Sequence, residues 1–310
     1  MKHRLTLFLL MLLFTGSVKA QVVDTVKHWN YKGDGSLAIS QVSLTNWAAG
    51  GENTFATNAM VNLFADYKKD KLSWQNSLAL AYGFLNQESI KNKKTDDKID
   101  LSSQLGYKAS GDWNYSLLFG FKSQFAEGFN YPDDSTVISH FMAPGYFQLA
   151  LGMEYKPDEY FSLFLSPIGA RLTIVNDERL ADMGAFGVDP AEFSLDSIPV
   201  LIKHGKTTRW EVGASMKALY KKDIAKNVNF STKLELFSNY LKNPQNIIVN
   251  WEVLLSMKVN SFITTTVGTQ LIYDDNIYIK DKNDKTGLKG GPRTQFKEFL
   301  GVGLSYKFGK

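Results

Sequence analysis

Three histidines follow residue 20, His28, His140 and His204, and these imidazoles are the only side chains here that ordinarily titrate near neutrality. A serine-type hydrolase needs a hydroxyl nucleophile, an imidazole to take its proton and a third polar group to orient the ring. His140, in TVISHF with Ser135 and Ser139 nearby, is the best such grouping. Neighbours on an extended chain point to opposite sides, so Ser139 and His140 are poor partners, and a solvated loop histidine is expected rather than an enzyme. No nucleophile elbow, zinc-protease helix or phosphate loop occurs. DKNDKTG, Asp281 to Gly287, opens like a calcium loop, but it places Lys285 at a ligand position and lacks glycine at the sixth. No metal and no cofactor is expected.

The remaining chemistry is charge set on alternating segments. In KLSWQNSLALAYGF, Leu72, Trp74, Leu78, Leu80, Tyr82 and Phe84 share one parity, and Ser73, Gln75, Ser77, Ala79, Ala81 and Gly83 the other. Such period-two alternation marks a strand with one greasy and one polar face. About twelve segments follow the rule: Ser36–Thr45, Phe55–Lys68, Leu72–Leu85, Lys98–Ala109, Trp113–Gln124, Tyr146–Tyr155, Tyr160–Val175, Arg209–Tyr220, Val228–Ser238, Ile247–Val259, Phe262–Tyr273 and Thr294–Phe308. Each is near the length a tilted strand needs to cross a bilayer.

The connections alternate short and long. Tight turns at KKDK, SGD, KPDE, KKDIAKN and NS interleave with polar stretches such as NQESIKNKKTDD and 176–208, with only NYLKNPQN about as short as its neighbours. An all-β, antiparallel up-and-down transmembrane barrel has this pattern, with short periplasmic turns and long extracellular loops. Burying the greasy faces inside a soluble barrel would ask Leu, Trp and Phe to fill a lumen that grows with strand number. The greasy parity is therefore assigned to lipid, with Trp113, Tyr115, Tyr107, Tyr155, Tyr160, Tyr220, Tyr306 and Phe308 beside the tight turns as an interfacial girdle.

Charges of both signs then face inward. Asp66, Lys122, Arg209, Glu211, Lys233, Glu235 and Glu252 are the main lumen-lining candidates, accompanied by Lys68, Asp100, Lys108, Glu154, Lys217 and Lys258. Arg209 and Glu211 with Lys233 and Glu235 form the densest group on neighbouring strands. A selective pore usually carries rings of one sign, whereas mixed signs can pair across the lumen and narrow or seal it.

Composition bounds the rest. Lys2 to Arg4, the apolar run Leu5–Phe14 and the small residues Val18 and Ala20 read as a secretory signal over 1–20, with Gln21 the expected mature start. The chain has no cysteine, so neither a disulfide framework nor a lipid-modified cysteine is expected. No apolar run after Ala20 is long enough for a spanning helix. The formal charge of +4 is dispersed, which gives nucleic acid no basic face. The expected organisation is a periplasmic segment over 21–35 and a barrel over 36–310.

SLTNWAAGGENTF carries the most distinctive motif: Trp47, Gly50, Gly51, Glu52 and Asn53, where paired glycines permit a tight reversal and the polar pair can bond the freed amides. It reads either as a simple hairpin loop or as a gate folded into the barrel mouth. With the strands that follow, FLSPIGARLTIVND and the closing GVGLSYKF, it resembles outer-membrane barrels of Bacteroidota catalogued as domain of unknown function 3078. The resemblance implies a barrel and its location and carries over no catalytic residue. The expected function is a narrow or gated conduit for small polar solutes in the cell outer membrane. An accessory barrel showing its loops to a partner protein is the alternative, and a membrane-embedded hydrolase comes last. Expected partners are outer-membrane lipid, the barrel-insertion machinery, and a solute or partner protein.

Overall fold

Each alternating segment has one apolar parity to turn outward and one polar parity to turn inward, and each becomes a long strand. The computed structural model describes residues 28–44, 52–88, 90–131, 133–194, 199–280 and 290–309. Its twelve barrel strands are β1 (Trp29–Val42), β2 (Thr54–Lys69), β3 (Leu72–Gln87), β4 (Lys93–Ser110), β5 (Trp113–Ser123), β6 (Gly145–Tyr155), β7 (Phe161–Ile174), β8 (Thr208–Ala225), β9 (Val228–Asn239), β10 (Ile247–Lys258), β11 (Ile263–Tyr273) and β12 (Gln295–Gly309). Each pairs antiparallel with its sequence neighbours, and β1 also pairs with β12, from Lys32 opposite Gly309 to Ala38 opposite Gly303. The sheet is therefore closed. The signal segment, Trp47, Gly50, Gly51 and the calcium-like Asp281–Gly287 lie outside the described residues.

Closure removes every sheet edge, which is the condition for β-structure to sit in hydrocarbon with its backbone polar groups paired. The outer wall is apolar: Leu149, Leu151, Ile168, Trp210, Val302 and Leu304 are exposed, and Leu300 is 72% exposed. Outward indoles find partners within the wall, Trp74 donating to Ser103 Oγ at 2.8 Å and Trp251 to Thr232 Oγ1 at 2.9 Å. This is a transmembrane barrel by the chemistry of its surface.

At one end the connections run only over 70–71, 111–112, 156–160, 226–227 and 259–262. Asp70, Gly111 and Asn227 take φ of 51°, 54° and 64° there, a region open to glycine and to short polar side chains. At this end Trp29 lies 5.2–5.7 Å from the rings of Tyr31, Tyr67 and Trp74, and Trp113 lies 5.1 Å from Tyr155. Aromatic residues of this kind form the interfacial girdle. The other end carries the links 43–53, 88–92, 124–144, 175–207, 240–246 and 274–294. Within them lie three short hairpins, Gly128–Phe129 with Val137–Ser139, Glu192–Phe193 with Leu201–Lys203, and Ile279–Lys280 with Gly290–Gly291, and the helix α1 (Glu178–Asp182).

β4 begins at Lys93 rather than Lys98, β8 runs to Ala225 rather than Tyr220, and two more strands also differ from their sequence expectation. β1 begins at Trp29 rather than Ser36. Its outward positions there are Trp29, Tyr31, Gly33 and Gly35, and the Phe308 ring of β12 fills the space where a Gly33 side chain would sit. An aromatic ring from the partner strand supplies the lipid cover over the glycines, which break the alternation that Trp29 and Tyr31 begin. In β7, Ser166 opposes Ser215 while Gly169 opposes Gly213, so three steps on β7 face two on β8. This bulge contains Pro167, which has no N–H to give the ladder. Beyond it the parity is reversed. Phe164 packs inside with Leu118 and Ala150, and past the bulge Gly169, Arg171 and Thr173 face the lumen.

The wall assignment has a direct test. Leu300→Arg places a cation on the lipid face near mid-strand and is expected to lower folding stability in bilayers by about 2–4 kcal/mol. Urea titrations of the lipid-embedded protein measure this, and an unchanged midpoint would mean that the face does not contact lipid.

Candidate functional site: the charged lumen and its mouth

Inward side chains on β4, β5, β8, β9 and β10 meet at mid-barrel. Asp100 stands opposite Lys122, Lys217 opposite Glu235, and Lys233 opposite Glu252 in the strand registers. Long side chains then reach across the lumen. Lys122 Nζ bonds Glu235 Oε2 at 2.5 Å, Lys98 Nζ bonds Glu252 Oε2 at 3.2 Å, and Lys233 Nζ lies 3.2 Å from Asp100 Oδ2 and 3.0 Å from Glu252 Oε1. In a ring of twelve strands, β4 and β10 are six apart, so the Lys98–Glu252 pair joins opposite walls. Asn250 donates to Glu235 at 2.9 Å and Gln270 donates to Asn250 at 3.0 Å, extending the network onto β11. Four lysines, counting Lys217, thus face three carboxylates.

Part of this network remains in contact with water, although Asp100 is buried. The side chains of Lys98, Lys122 and Glu252 are 33%, 34% and 26% exposed. Ion pairs so hydrated are weaker than dry ones and exchange partners readily. The network constricts the lumen without making it dry.

A second layer lies nearer the long loops. Arg209 and Glu211 of β8 sit six or more residues from Lys217, about 20 Å along the strand. They therefore do not join Lys233 and Glu235 as the sequence grouping expected. Arg209 Nη2 approaches Glu211 Oε2 at 3.2 Å and Asp274 Oδ2 at 3.9 Å. Neither Arg209 Nη2 nor Glu211 Oε2 makes a directed hydrogen bond, so the pair is an electrostatic contact only. Asn239 donates to Glu211 Oε1 at 3.3 Å, and Arg209 Nη1 donates to the carbonyl of Gly187 at 3.2 Å.

That last contact belongs to the loop over 175–207. Asp177 caps α1 by accepting from the Leu180 amide at 2.9 Å. Leu180, Ala181 and Val188 bury themselves with Val175 and Ala143, which gives the loop its own small core. Gly187, at φ 80°, abuts Arg209 and Asn276 so closely that a side chain there would collide with both. Among the described residues, this loop reaches the barrel mouth at Arg209. Of the Trp47–Asn53 motif only Glu52 and Asn53 are described: Glu52 O accepts from Thr54 Oγ1 at 3.3 Å, and Asn53 accepts from Leu44 N at 2.6 Å and donates to Glu88 Oε1 at 2.5 Å. Asn53 ties the base of its loop to the neighbouring one.

His140 borders an outer cleft of about 910 Å³ with Phe125, Ser135, Thr136, Phe141 and Arg179. Its Nδ1 contacts Phe141 O at 2.9 Å and its Nε2 contacts Asp177 Oδ2 at 3.3 Å. Ser135 Oγ is turned to Asp133 Oδ1 at 2.6 Å. Both imidazole nitrogens face these oxygens rather than a serine hydroxyl, so the loop sets no serine against the ring. Bonds from Ser135 and Thr136 hold the Asp133 carboxyl well below the usual range. His204 Nδ1 lies 3.0 Å from Asp182 Oδ2 and 3.1 Å from Glu178 Oε1, and its bond to Asp182, then the Glu178 charge, raise its pKa above the ordinary 6.5. Among the described residues no group of three or more potential ligands is placed to hold a metal ion.

Of the other lumen candidates, Asp66 stands at the short-turn rim and pairs with Lys32 at 3.0 Å, well away from the network. Lys122, Lys233, Glu235 and Glu252 come together as described. The alternation rule misses Lys98 as a cross-lumen partner and misses Arg171 entirely, because an unbroken β7 with Leu163 and Leu165 in lipid would have sent Arg171 outward. Pro167 in mid-strand is the signal that marks the shift.

Residues 39–129 match the family described as Protein of unknown function (DUF3078), a span that includes the Trp47–Asn53 motif but neither FLSPIGARLTIVND nor GVGLSYKF. No curated protein matches the chain. Among solved structures, the translocator domain of the autotransporter NalP from Neisseria meningitidis is 9% identical with a TM-score of 0.37, covering 99% of this chain and 96% of that one. An outer membrane channel from Pseudomonas putida F1 is 12% identical with a TM-score of 0.38, covering 96% and 100%. The NanC porin is 11% identical with a TM-score of 0.33, covering 88% and 98%. At such scores neither register nor substrate passes from those proteins to this chain.

Two outcomes are expected from this geometry. Lys233→Met leaves both Asp100 and Glu252 short of a partner and should lower stability by roughly 1–3 kcal/mol, less than for a dry pair because water reaches the network. Equilibrium unfolding in lipid checks the value. The His204 contact is complete below pH 6.5 and is lost as pH rises through the higher value set by the folded loop. An NMR titration of the ring should show a midpoint above 6.5 that falls toward it in Asp182→Asn.

Proposed function

We propose that this chain is an outer-membrane conduit, narrow and gated, for small polar solutes. The supporting observation is the mid-barrel network: ionised side chains from opposite walls bridge the lumen, yet Lys98, Lys122 and Glu252 keep a quarter to a third of their side-chain surface in water. A barrel serving only as a scaffold has no need of hydrated charge at its centre, since apolar packing there would be at least as stable. Exchange of partners among the ion pairs opens and closes the constriction. On this reading the short turns lie in the periplasm, the long loops lie outside the cell, and the 175–207 loop screens the entrance. A cleaved signal over 1–20 and the barrel-insertion machinery deliver the chain to the outer membrane.

The folded 175–207 loop, with its own small core and the nearby cleft, favours a second reading, an accessory barrel that shows this surface to a partner protein. Planar-bilayer recordings separate the two. The wild-type barrel is expected to give small discrete steps, and the Lys98→Gln, Glu252→Gln double variant, which removes the bridge between opposite walls, to give larger ones. Silence from both, with the barrels correctly inserted, would overturn the conduit and leave the accessory reading.

A further inference from the structure

The β7 bulge carries Arg171 into the lumen, beside carboxylates that another arginine holds. Arg171 stands directly opposite Glu211 in the strand register, but Glu211 and Asp274 are both drawn to Arg209. Among the described residues no carboxylate lies within ion-pair distance of Arg171. Its Nη1 is buried with no hydrogen-bond partner, and its guanidinium carbon sits 4.8 Å from the centre of the Phe237 ring. Stacking on an aromatic face fixes the plane of the fork while leaving its edge free.

Other groups beside it also await a partner. Thr173 Oγ1 and Ser215 Oγ are buried on residues less than a tenth exposed, and neither has a hydrogen-bond partner. Arg209 Nε also lacks a directed bond, but Nη2 is held by the Glu211 carboxylate at 3.2 Å. The register places Thr173 opposite Arg209 on one side and Tyr146 on the other, beneath Gly187, whereas Ser215 lies further down β8 opposite Phe237, the ring on which the Arg171 guanidinium rests. Buried polar groups are ordinarily satisfied, and the Arg171 fork and Ser215 hydroxyl, at one level of the wall, call for an acceptor from outside the chain, the unbonded Glu211 Oε2 being held beside Arg209 instead. Further down β8, Lys217 also lacks a carboxylate at ion-pair distance and bonds only the Ser102 hydroxyl, at 2.9 Å. Arg171 and Lys217 are thus two inward cations of the β7–β8 wall, at two depths, with no ion-pair partner among the described residues.

We infer that Arg171 anchors a binding site for a small oxyanion, a carboxylate or phosphate group held by the guanidinium fork with help from the Ser215 hydroxyl. This deepens the conduit reading by assigning anionic solutes to it, with Lys217 as the next position inward. A fork of two parallel donors matches the two oxygens of either group.

The test uses the full chain folded in an alkyl glucoside, with inorganic phosphate and acetate as probes read by phosphorus and carbon NMR line broadening. Wild-type protein is expected to broaden both signals saturably, and Arg171→Gln to bind at least tenfold more weakly. Arg171→Lys keeps the charge and loses the fork, so it is expected to weaken binding too, and it carries the test if the glutamine variant does not fold. No broadening by the wild type, or undiminished binding by either variant, overturns the site. A barrel that binds these anions but passes no current overturns the conduit and keeps the site. One that conducts while Arg171→Gln binds like the wild type does the reverse.

Discussion

Hydrocarbon offers no hydrogen bonds, and that constraint organises this protein from its first strand to its last. A sheet can meet it only by closing, so the pairing of β1 with β12 is the contact on which the others depend. It is made in unpromising sequence. Gly33 and Gly35 supply no side chains to the lipid face, and the Phe308 ring covers the gap from the neighbouring strand. Once the ring is closed, each strand has one face for lipid and one for the lumen, and every polar side chain must be placed on one or the other. Even the outward indoles of Trp74 and Trp251 are turned to hydroxyls within the wall.

Closure also creates the problem that the interior solves. Charges that alternate with the lipid-facing residues are gathered into a space too wide for apolar packing alone and too narrow to keep them apart. The mid-barrel lysines and carboxylates reach opposite walls and pair there, while the apolar trio of Leu118, Ala150 and Phe164 fills space nearby. Nearer the mouth the same logic involves the loop: Gly187 brings its carbonyl to Arg209, and only a residue without a side chain fits so close. The interior is thus layered, with a loop-capped mouth above a hydrated ion-pair constriction.

The outer loops follow different physics. The segment over 175–207 has its own capped helix and buried cluster, and its exposed carboxylates are stabilised by local bonds, Asp182 from the Gly205 amide and the His204 ring. The His140 ring is held between a backbone carbonyl and Asp177, which makes it part of the loop's scaffolding. In TVISHF the extended chain was expected to turn Ser139 and His140 apart, and the folded loop pairs His140 with Asp177 and a backbone carbonyl.

Much of this was present in the chain before any folding. Period-two alternation determined the strands, which face met lipid, and that Lys122, Lys233, Glu235 and Glu252 would point inward, because a side chain's face depends only on its parity along an unbroken strand. Alternating turn lengths determined the up-and-down order. What parity cannot register is an insertion of one residue, a shear between strands or a contact across the lumen. The bulge at Pro167 reversed the assignment of Arg171, strand stagger separated Arg209 and Glu211 from Lys233 and Glu235, and closure brought Lys98 to Glu252 from 154 residues away. Those placements follow from ring geometry, which exists only when all twelve strands are in register together.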